Sequence, residues 1–452
     1  MSVRRYIVVG GGFSGVSAAA CLRDHGAHVT LLEEKSLLGG RARSDVLEGL
    51  TIDIGAQLAS SSFSRTLRVL RAPADARDGA LRRTAGRDAL VLDGSRHAVQ
   101  FGSVRSLLGF SALAARDKLR LGTHLLPLLA LHRAHLDAAA ERVPESLDRE
   151  TARGYVASHV SSRAADFLVE PPLNPFYAAT GDETSLAFFL TLGRYGADSD
   201  MLAPTSGWSS ALARAMRGVT IETGARITAV VAEGDTMRAE ADDGRVWAAD
   251  GVVLATTAHT ARLLLASVLP RDHELVRWLS AVETRSTWTL ALAVDVAPRR
   301  DVFGVFAHPA QARAVSACAI HGAKMGSSAP AQHDVILAWP TPAAAARLAG
   351  APAERIVDAM LTEVEALVPE MRGHVTRARV YRFDDGTPVA RPGFVADRVR
   401  GRALASALRF PIALAGDYLT TPIIEGAVAS GEHAARRLLG PGGAEREMRA
   451  AR

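Results

Sequence analysis

Near its start the chain has an apolar run, then glycines, then an alanine-rich stretch. This succession predicts a strand, a tight turn and a helix. Tyr6 to Val9 is an unbroken apolar run, glycines follow at once, and an alanine-rich stretch extends from Val16 to Arg23. Strands that are buried on both faces have continuous apolar runs, and a second stretch, apolar apart from Thr30, extends from Val29 to Leu32. This order of strand, helix and strand predicts an α/β fold.

The turn between the first strand and the helix carries three glycines at the spacing of a dinucleotide-binding motif. Gly10 allows the tight turn, Gly12 lets the backbone approach a pyrophosphate, and Gly15 lets the helix pack closely on the strand. We expect the phosphates at the helix N-terminus, where free N–H groups and the helix dipole attract anions. Glu33, eighteen residues after Gly15, can accept hydrogen bonds from both ribose hydroxyls. Because a carboxylate repels a 2′-phosphate, the pattern favours FAD or NAD over NADP.

Further motifs at both ends of the chain match one known superfamily. These motifs are Gly39-Gly40-Arg41, Thr51 to Gln57, Leu414 to Asp417 and Glu425-Gly426-Ala427. Together they resemble the flavin amine oxidase, protoporphyrinogen oxidase and phytoene desaturase superfamily. The resemblance implies FAD as the cofactor.

The resemblance also implies a role for each motif. Arg41 would reach the FAD phosphates, Gly55 to Leu58 would pass beside the flavin ring, and Gly416-Asp417 would meet the ribityl and phosphate region. Ile227 would present its backbone to the adenine. The helix that Gly426 opens would point its N-terminus at the flavin pyrimidine edge, where negative charge develops on reduction. The cofactor-binding residues expected on these grounds are Gly10, Gly12, Phe13, Ser14, Gly15, Glu33, Glu34, Gly40, Arg41, Gly55, Ala56, Gln57, Leu58, Ile227, Thr256, Gly416, Asp417, Glu425, Gly426 and Ala427.

The middle and the end of the chain predict further strands and a last helix. Ile221 to Val231, Met237 to Ala239 and Val246 to Ala248 read as an antiparallel meander. The other predicted elements are a parallel strand at Gly251 to Thr256, a strand at Ile412 to Leu414 and a helix at Ala427 to Leu439.

The length of 452 residues is too great for one ordinary core and suggests two domains. We expect an interleaved arrangement of a Rossmann-like FAD-binding domain, formed by residues 1–60, 206–270 and 386–440, and an α+β substrate-binding domain, formed by 61–205 and 271–385. The Gly- and charge-rich tail, 441–452, is expected to be disordered.

Composition excludes several classes of protein. The net charge of +5 comes mostly from arginine, and no basic cluster interleaved with aromatic residues accompanies it, so we expect no nucleic-acid partner. Two cysteines, Cys21 and Cys318, cannot form a disulfide framework or a zinc site, which favours a reducing, cytoplasmic compartment. The stretch from Arg4 to Cys21 resembles a secretion signal. We do not interpret it as one, because its removal would delete the first strand and the glycine turn.

The segment from Leu107 to Ala140 is rich in leucine and alanine, with arginine and histidine interspersed. We interpret it as helices of the substrate-binding domain. The alternative is a membrane-surface patch, as in the protoporphyrinogen oxidases and phytoene desaturases that draw lipophilic substrates from the bilayer. Peripheral contact with a membrane therefore stays open as an alternative to a purely cytoplasmic location. No run of eighteen apolar residues occurs, so we expect no transmembrane helix.

Departures from the family pattern concern the space in front of the flavin. Amine oxidases commonly have an aromatic cage residue where this chain has Ile423, and many have a lysine where our alignment places Thr289. Both changes disfavour a polar amine substrate. No cysteine lies between Asp417 and Glu425, so we expect noncovalent FAD. The expected pocket residues are Tyr177, Phe189, Trp288, Phe383 and Ile423, and the weak catalytic candidates are Trp288, His321 and Lys324.

These features predict an FAD-dependent oxidase or dehydrogenase in which the flavin itself does the chemistry. It would remove hydride from a small hydrophobic substrate, a lipophilic or aromatic-precursor carbon skeleton, and pass electrons to O2 or another acceptor. The first alternative is oxidation of an amine, amide or amino acid to an imine. The second is a flavin-binding protein with no catalytic role.

Overall fold

The computed structural model describes residues 3–71, 81–84, 86–100, 103–197, 199–234, 236–326 and 330–440. The strands are β1 Arg5–Val9, β2 His28–Glu33, β3 Ser44–Leu47, β4 Leu50–Asp53, β5 Ala59–Ser60, β6 Leu81–Arg83, β7 Arg87–Leu92, β8 Ser95–Val99, β9 Met201–Pro204, β10 Thr220–Thr223, β11 Ile227–Glu233, β12 Thr236–Ala241, β13 Val246–Ala249, β14 Gly251–Leu254, β15 Thr284–Val294, β16 Val302–Ala307, β17 Val315–Ile320, β18 Asp334–Pro340, β19 Val375–Pro388 and β20 Ile412–Leu414.

The helices are α1 Phe13–Asp24, α2 Ser64–Arg71, α3 Val104–Gly109, α4 Ala115–Leu131, α5 Glu145–Arg149, α6 Ala152–His159, α7 Ser162–Leu168, α8 Glu170–Tyr177, α9 Leu186–Gly196, α10 Gly207–Ala215, α11 Ala258–Leu265, α12 Glu274–Ala281, α13 His321–Met325, α14 Pro342–Arg347, α15 Ala353–Leu367, α16 Phe394–Ser406 and α17 Ile424–Leu439. The leucine-rich segment after Leu107 thus includes α4, which is helical as expected.

A parallel sheet of five strands, in the order β10-β2-β1-β14-β20, carries the glycine turn. β1 lies at its centre, between β2 and β14, and its residues from Tyr6 to Val9 are buried, as the apolar run predicts. The strands come from residues 5–33, 220–254 and 412–414, so distant parts of the chain assemble one sheet.

The predicted strand from Ile221 to Val231 is wrong, because two strands occupy this range. β10 pairs with β2 in the parallel sheet, whereas β11 pairs with β12 in a separate antiparallel meander. Gly224 stands between them with φ of 65°, a left-handed conformation that ends the first strand.

Helices α1 and α17 pack against each other on one face of the parallel sheet. The Ser17 hydroxyl donates a hydrogen bond of 2.7 Å to the carbonyl of Val428. A Cβ atom at Gly431 would come within 2.1 Å of the Ser14 carbonyl oxygen, so only glycine allows this approach. The two ends of the chain therefore close the same half of the molecule.

A second sheet of seven strands, in the order β19-β15-β18-β17-β16-β7-β8, forms the other half. Every residue of β17 and β18 is buried. On one face, α15 packs Ile356, Met360 and Val364 into the sheet core. The opposite face is one wall of a large cleft.

Within the described residues, no helix combines the length and the apolar character that crossing a bilayer requires. The tail 441–452, predicted to be disordered, lies outside the described residues.

Candidate functional site

A cleft of about 1200 Å³ extends from the carboxyl ends of the parallel strands to the seven-stranded sheet. Its first half is lined by the glycine turn, Glu33, Arg41 and Asp417, and its second half by apolar side chains. Ligands of open α/β sheets bind outside the carboxyl ends of the strands. The first half is therefore the candidate cofactor site.

Gly10, Gly11 and Gly12 of the glycine turn line this cleft, whereas Gly15, also expected among the cofactor residues, does not. A Cβ atom at Gly10 would come within 2.5 Å of the Ala255 carbonyl oxygen, and one at Gly15 within 1.8 Å of the Gly10 carbonyl oxygen. Gly12 has no neighbour within 4 Å of such an atom, so its backbone faces open space. No side chain of the described residues caps α1, whose first N–H groups stay free for an anion. This arrangement fits a pyrophosphate.

Glu33 stands at the end of β2 and is almost fully buried beside the turn. One carboxylate oxygen accepts a hydrogen bond of 2.7 Å from the Gly11 N–H, and the other accepts one of 2.9 Å from the Lys35 N–H. Burial raises the pKa of Glu33, and the two backbone N–H groups partly oppose this rise. Glu34, the next residue, is exposed and also lines the cleft.

Arg41 and Asp417 form an ion pair of 2.7 Å inside the cleft. Arg41 also donates to the Gly386 carbonyl oxygen at 3.0 Å. Burial disfavours the charged guanidinium, but Asp417 and Asp385 outweigh it and raise the Arg41 pKa above its usual value. The pair joins the segment after β2 to the segment after β20.

Most of the other expected cofactor residues line the same cleft. They are Phe13, Ser14, Gly40, Gly55, Ala56, Gln57, Leu58, Ile227, Thr256, Gly416 and Ala427. At Gly55 a Cβ atom would come within 1.9 Å of the Arg41 carbonyl oxygen, so this strand end needs glycine. The Gln57 amide donates to the Gly55 carbonyl oxygen at 2.9 Å and fixes the segment.

Glu425 does not line the cleft, so the prediction that it contacts the cofactor is wrong. Its fully buried carboxylate accepts hydrogen bonds from the Arg65 N–H at 2.9 Å and from the Thr66 N–H at 3.0 Å, at the start of α2. Gly426 is also absent from the cleft wall. There a Cβ atom would meet the Thr421 carbonyl oxygen at 2.0 Å, so the glycine serves packing.

Four of the five expected pocket residues line the second half of the cleft, namely Tyr177, Phe189, Phe383 and Ile423. Trp288 does not, and its prediction is wrong. Side chains alternate along a strand, so β15 turns Thr287 and Thr289 toward the cleft and Trp288 toward the opposite face. There the indole N–H lies 3.3 Å from the Met360 sulfur in the core.

His321 and Lys324 also lie outside the cleft, in a separate cavity of about 250 Å³. Lys324 is buried and pairs with Asp53, and burial lowers its pKa despite this partner. Burial, reinforced by the charges of Lys324 and Arg82, lowers the pKa of His321 to about 3. These two catalytic candidates therefore lie outside the cleft.

Sequence reasoning missed several residues of the second half. Most are leucines of α3, α4 and the helices beyond, and polar residues such as Asp88, Gln100, Lys118 and Thr287 accompany them. The leucines include Leu107, Leu108, Leu121, Leu125, Leu126, Leu129, Leu168 and Leu192. The leucine-rich pattern was visible, but nothing in it placed these side chains at the cleft. The Thr287 hydroxyl has no hydrogen-bond partner among the described residues.

Comparisons with known proteins agree with this geometry. A family model described as flavin containing amine oxidoreductase matches residues 13–439. Polyamine oxidase 2 of Arabidopsis thaliana is 24% identical over 259 residues, which are 55% of this chain and 50% of that protein. Carotenoid 3,4-desaturase of Haloarcula japonica is 52% identical over 48 residues, 11% of this chain and 10% of that protein. The matches thus span half or less of these curated relatives.

The fold is shared by cyclohexylamine oxidase from Brevibacterium oxydans IH-35A. That solved structure is similar to this chain with a TM-score of 0.72 and 14% identity, over 99% of this chain and 100% of the other. At this identity the likeness concerns the fold.

Proposed function

Because the chain belongs to the flavin-containing amine oxidoreductase family, we propose that it is an enzyme that removes hydrogen from a lipophilic carbon skeleton. FAD is the cofactor, and when bound it accepts a hydride from the substrate and passes electrons to an acceptor such as O2. The observation that carries the proposal is the apolar second half of the cleft.

The protein residues would hold FAD along the first half. The free N–H groups of α1 bind the pyrophosphate, Glu33 the ribose hydroxyls, and Ile227 presents its backbone to the adenine. Arg41 and Asp417 bind the phosphate and ribityl region, and Gly55 to Leu58 pass beside the ring. The side chains of these residues position FAD, and none of them has to move a proton.

The second half of the cleft supports a hydrophobic substrate. Its walls are leucines and aromatic rings, and Phe176 packs edge-on against Phe306 and Trp339 at centroid distances of 6.1 and 5.8 Å. Such walls exclude water and place a C–H bond against the flavin face. Ile423 and Thr289 leave this space without a charged side chain at the positions where amine oxidases commonly have a cage aromatic and a lysine.

Oxidation of a C–N bond is the second candidate, favoured by the match to a polyamine oxidase. The test is to mix the FAD-loaded protein with candidate hydrogen donors without oxygen. Reduction of the flavin is measured as a loss of its absorbance. Porphyrinogens and long-chain polyenes are expected to reduce it faster than benzylamine and putrescine. The reverse order would replace carbon dehydrogenation with amine oxidation, and a flavin that no donor reduces would indicate a non-catalytic flavin protein.

Acid precipitation of the protein is expected to leave all FAD in the supernatant, because the cofactor is expected to be bound noncovalently.

A further inference from the structure

The second half of the cleft crosses the seven-stranded sheet from strand to strand. Residues from six neighbouring strands line it in spatial order: Phe383 on β19, Thr287 and Thr289 on β15, Trp339 on β18, Ala317 and Ala319 on β17, Phe303, Gly304 and Phe306 on β16, and Asp88 on β7. A molecule in this cleft therefore lies across the strands.

The sheet gives the length of this path. Four strand spacings separate β15, near the flavin segment, from β7. At 4.7–4.9 Å for each spacing, the path is about 19 Å long. This length exceeds that of a benzylamine-sized molecule and fits an extended chain.

The floor in the middle of the path is apolar. It has the small residues Ala317 and Ala319 and the bare backbone of Gly304, while leucines of α4 such as Leu125 and Leu129 line another wall. Small residues on the floor leave room for a slender molecule lying flat. No charged side chain of β16, β17 or β18 lines this stretch within the described residues.

Asp88 ends the path with a carboxyl group. Its strand partner is Val99, and Gln100, the next residue, lines the same end of the cleft. The carboxyl group packs on Gly304, where a Cβ atom would come within 2.5 Å of Oδ1. Burial raises the pKa of Asp88 to about 7, with the Gly304 N–H opposing this rise. No cation pairs with Asp88 among the described residues.

We propose that Asp88 is a specificity-determining residue that accepts a hydrogen bond from the far end of an elongated lipophilic substrate. The reacting carbon then lies near Thr289 and a terminal donor, such as a hydroxyl or ammonium group, lies at Asp88. The substrate class is an extended amphiphile of about 19 Å. This inference rests on the proposed function, because it takes the flavin end of the cleft as the place of reaction.

The test measures binding to the FAD-loaded protein without turnover. Straight-chain alcohols from octanol to hexadecanol are compared with their methyl ethers, which have the same chain but cannot donate. Binding is followed by the change in the flavin absorption band. We expect affinity to rise with chain length, and the long alcohols to bind about tenfold tighter than their ethers, as one hydrogen bond to a carboxyl group allows.

Two variants remove the acceptor in different ways. Asp88→Leu deletes it, and Gly304→Ala displaces it. If one of the two variants does not fold, the other still tests the proposal. In both, the ratio of the ether to the alcohol dissociation constant is expected to fall to about one. For Gly304→Ala this ratio is the readout, because the added methyl group also takes up space on the floor of the path. Asp243→Asn, on an exposed turn, is the matched control and keeps the advantage.

Equal binding of long alcohols and ethers to the native protein overturns the proposal, as does equal weakening of both in Asp88→Leu. If the alcohols show the expected preference but no hydrophobic donor reduces the flavin, the proposed function fails and the Asp88 site stands. If lipophilic donors reduce the flavin without any alcohol preference, the Asp88 inference alone fails.

Discussion

The Glu33 carboxylate already accepts two backbone hydrogen bonds, from Gly11 and from Lys35. It therefore fixes the glycine turn, and in the proposed cofactor site its remaining lone pairs would accept hydrogen bonds from a ribose. A single substitution disturbs both interactions.

Glu33→Gln is expected to weaken FAD binding by about tenfold or more, since a hydrogen bond to a charged group contributes roughly 1.5–3 kcal/mol. One end of the amide would also face a backbone N–H. The measurement is titration of the apoprotein with FAD by quenching of flavin fluorescence. Glu233→Gln, at an exposed side chain outside the cleft, is the control. An unchanged dissociation constant in Glu33→Gln would place the ribose elsewhere.

His321 is buried in its neutral form, because its pKa in the folded state is about 3. In the unfolded chain its pKa is about 6.5, so the unfolded state takes up a proton first as pH falls. Stability from this residue is therefore complete above about pH 6.5 and is lost progressively between about pH 6.5 and 3.

At pH 5.5, one unit below the pKa of the unfolded state, the free energy of unfolding is expected to be lower by about 1.4 kcal/mol. His321→Gln should remove this part of the difference in unfolding free energy between pH 7.5 and pH 5.5. If His321→Gln has the same pH dependence as the native protein, His321 does not cause the acid sensitivity.

Which single residues reach the cleft was only partly predictable. Phe383 and Ile423 were found by position, whereas Trp288 was misplaced because a one-residue shift along β15 moves a side chain to the other face. Asp88 gave no signal at all, since an aspartate that follows an arginine at the start of an apolar run is also common on surfaces.

At the scale of elements, Glu425 joins two helices. It lies in the first turn of α17, and its carboxylate accepts the Arg65 and Thr66 N–H groups at the start of α2. The Thr66 hydroxyl donates to it as well, at 2.7 Å. A fully buried carboxylate with three donors is a strong helix cap.

Glu425→Gln is expected to lower the free energy of unfolding by about 2–3 kcal/mol, because the amide leaves buried N–H donors poorly paired. The measurement is urea unfolding of the FAD-free protein, followed by circular dichroism. The FAD dissociation constant should change less than in Glu33→Gln, since Glu425 is outside the cleft wall. A larger effect on FAD than on unfolding would restore the cofactor role.

The elements with continuous apolar runs were the easiest to predict. β1, β2 and β20 occupy the expected ranges to within one residue, because their central residues are mostly apolar and buried, with Thr30 of β2 as an exception. β10 and β11 were merged, since the apolar residues on both sides of Gly224 share one pattern but belong to different sheets. Long-range pairing, which the local pattern does not contain, made that choice.

At the scale of the whole molecule, a buried ion pair connects the helix after β17 to the hairpin of β3 and β4. Lys324, on α13 after β17, reaches Asp53 at the end of β4, and both side chains are about 2% exposed. Asp53 also accepts hydrogen bonds from Ser44 and from the Trp208 N–H. The pair thus connects the second sheet to the segment beside the flavin position.

Lys324→Met is expected to cost about 3–5 kcal/mol of unfolding free energy, because it leaves the Asp53 charge buried without a partner. The double variant Lys324→Met with Asp53→Asn should recover part of this loss. Chemical unfolding measures both. Arg299→Met, which breaks an exposed pair with Asp301, is expected to have no measurable effect. A double variant that is no better than the single one would contradict the role of the uncompensated charge.

The packing of α1 on α17 sets the order of events during synthesis. Ser17 and Val428 are 411 positions apart in the chain. At roughly 5–20 residues per second, α17 leaves the ribosome roughly 20–80 s after α1. Until then the alanine-rich face of α1 has no partner, and the first half of the cleft has one wall missing. The complete cofactor site therefore exists only after almost the whole chain has been made and α17 has packed on α1.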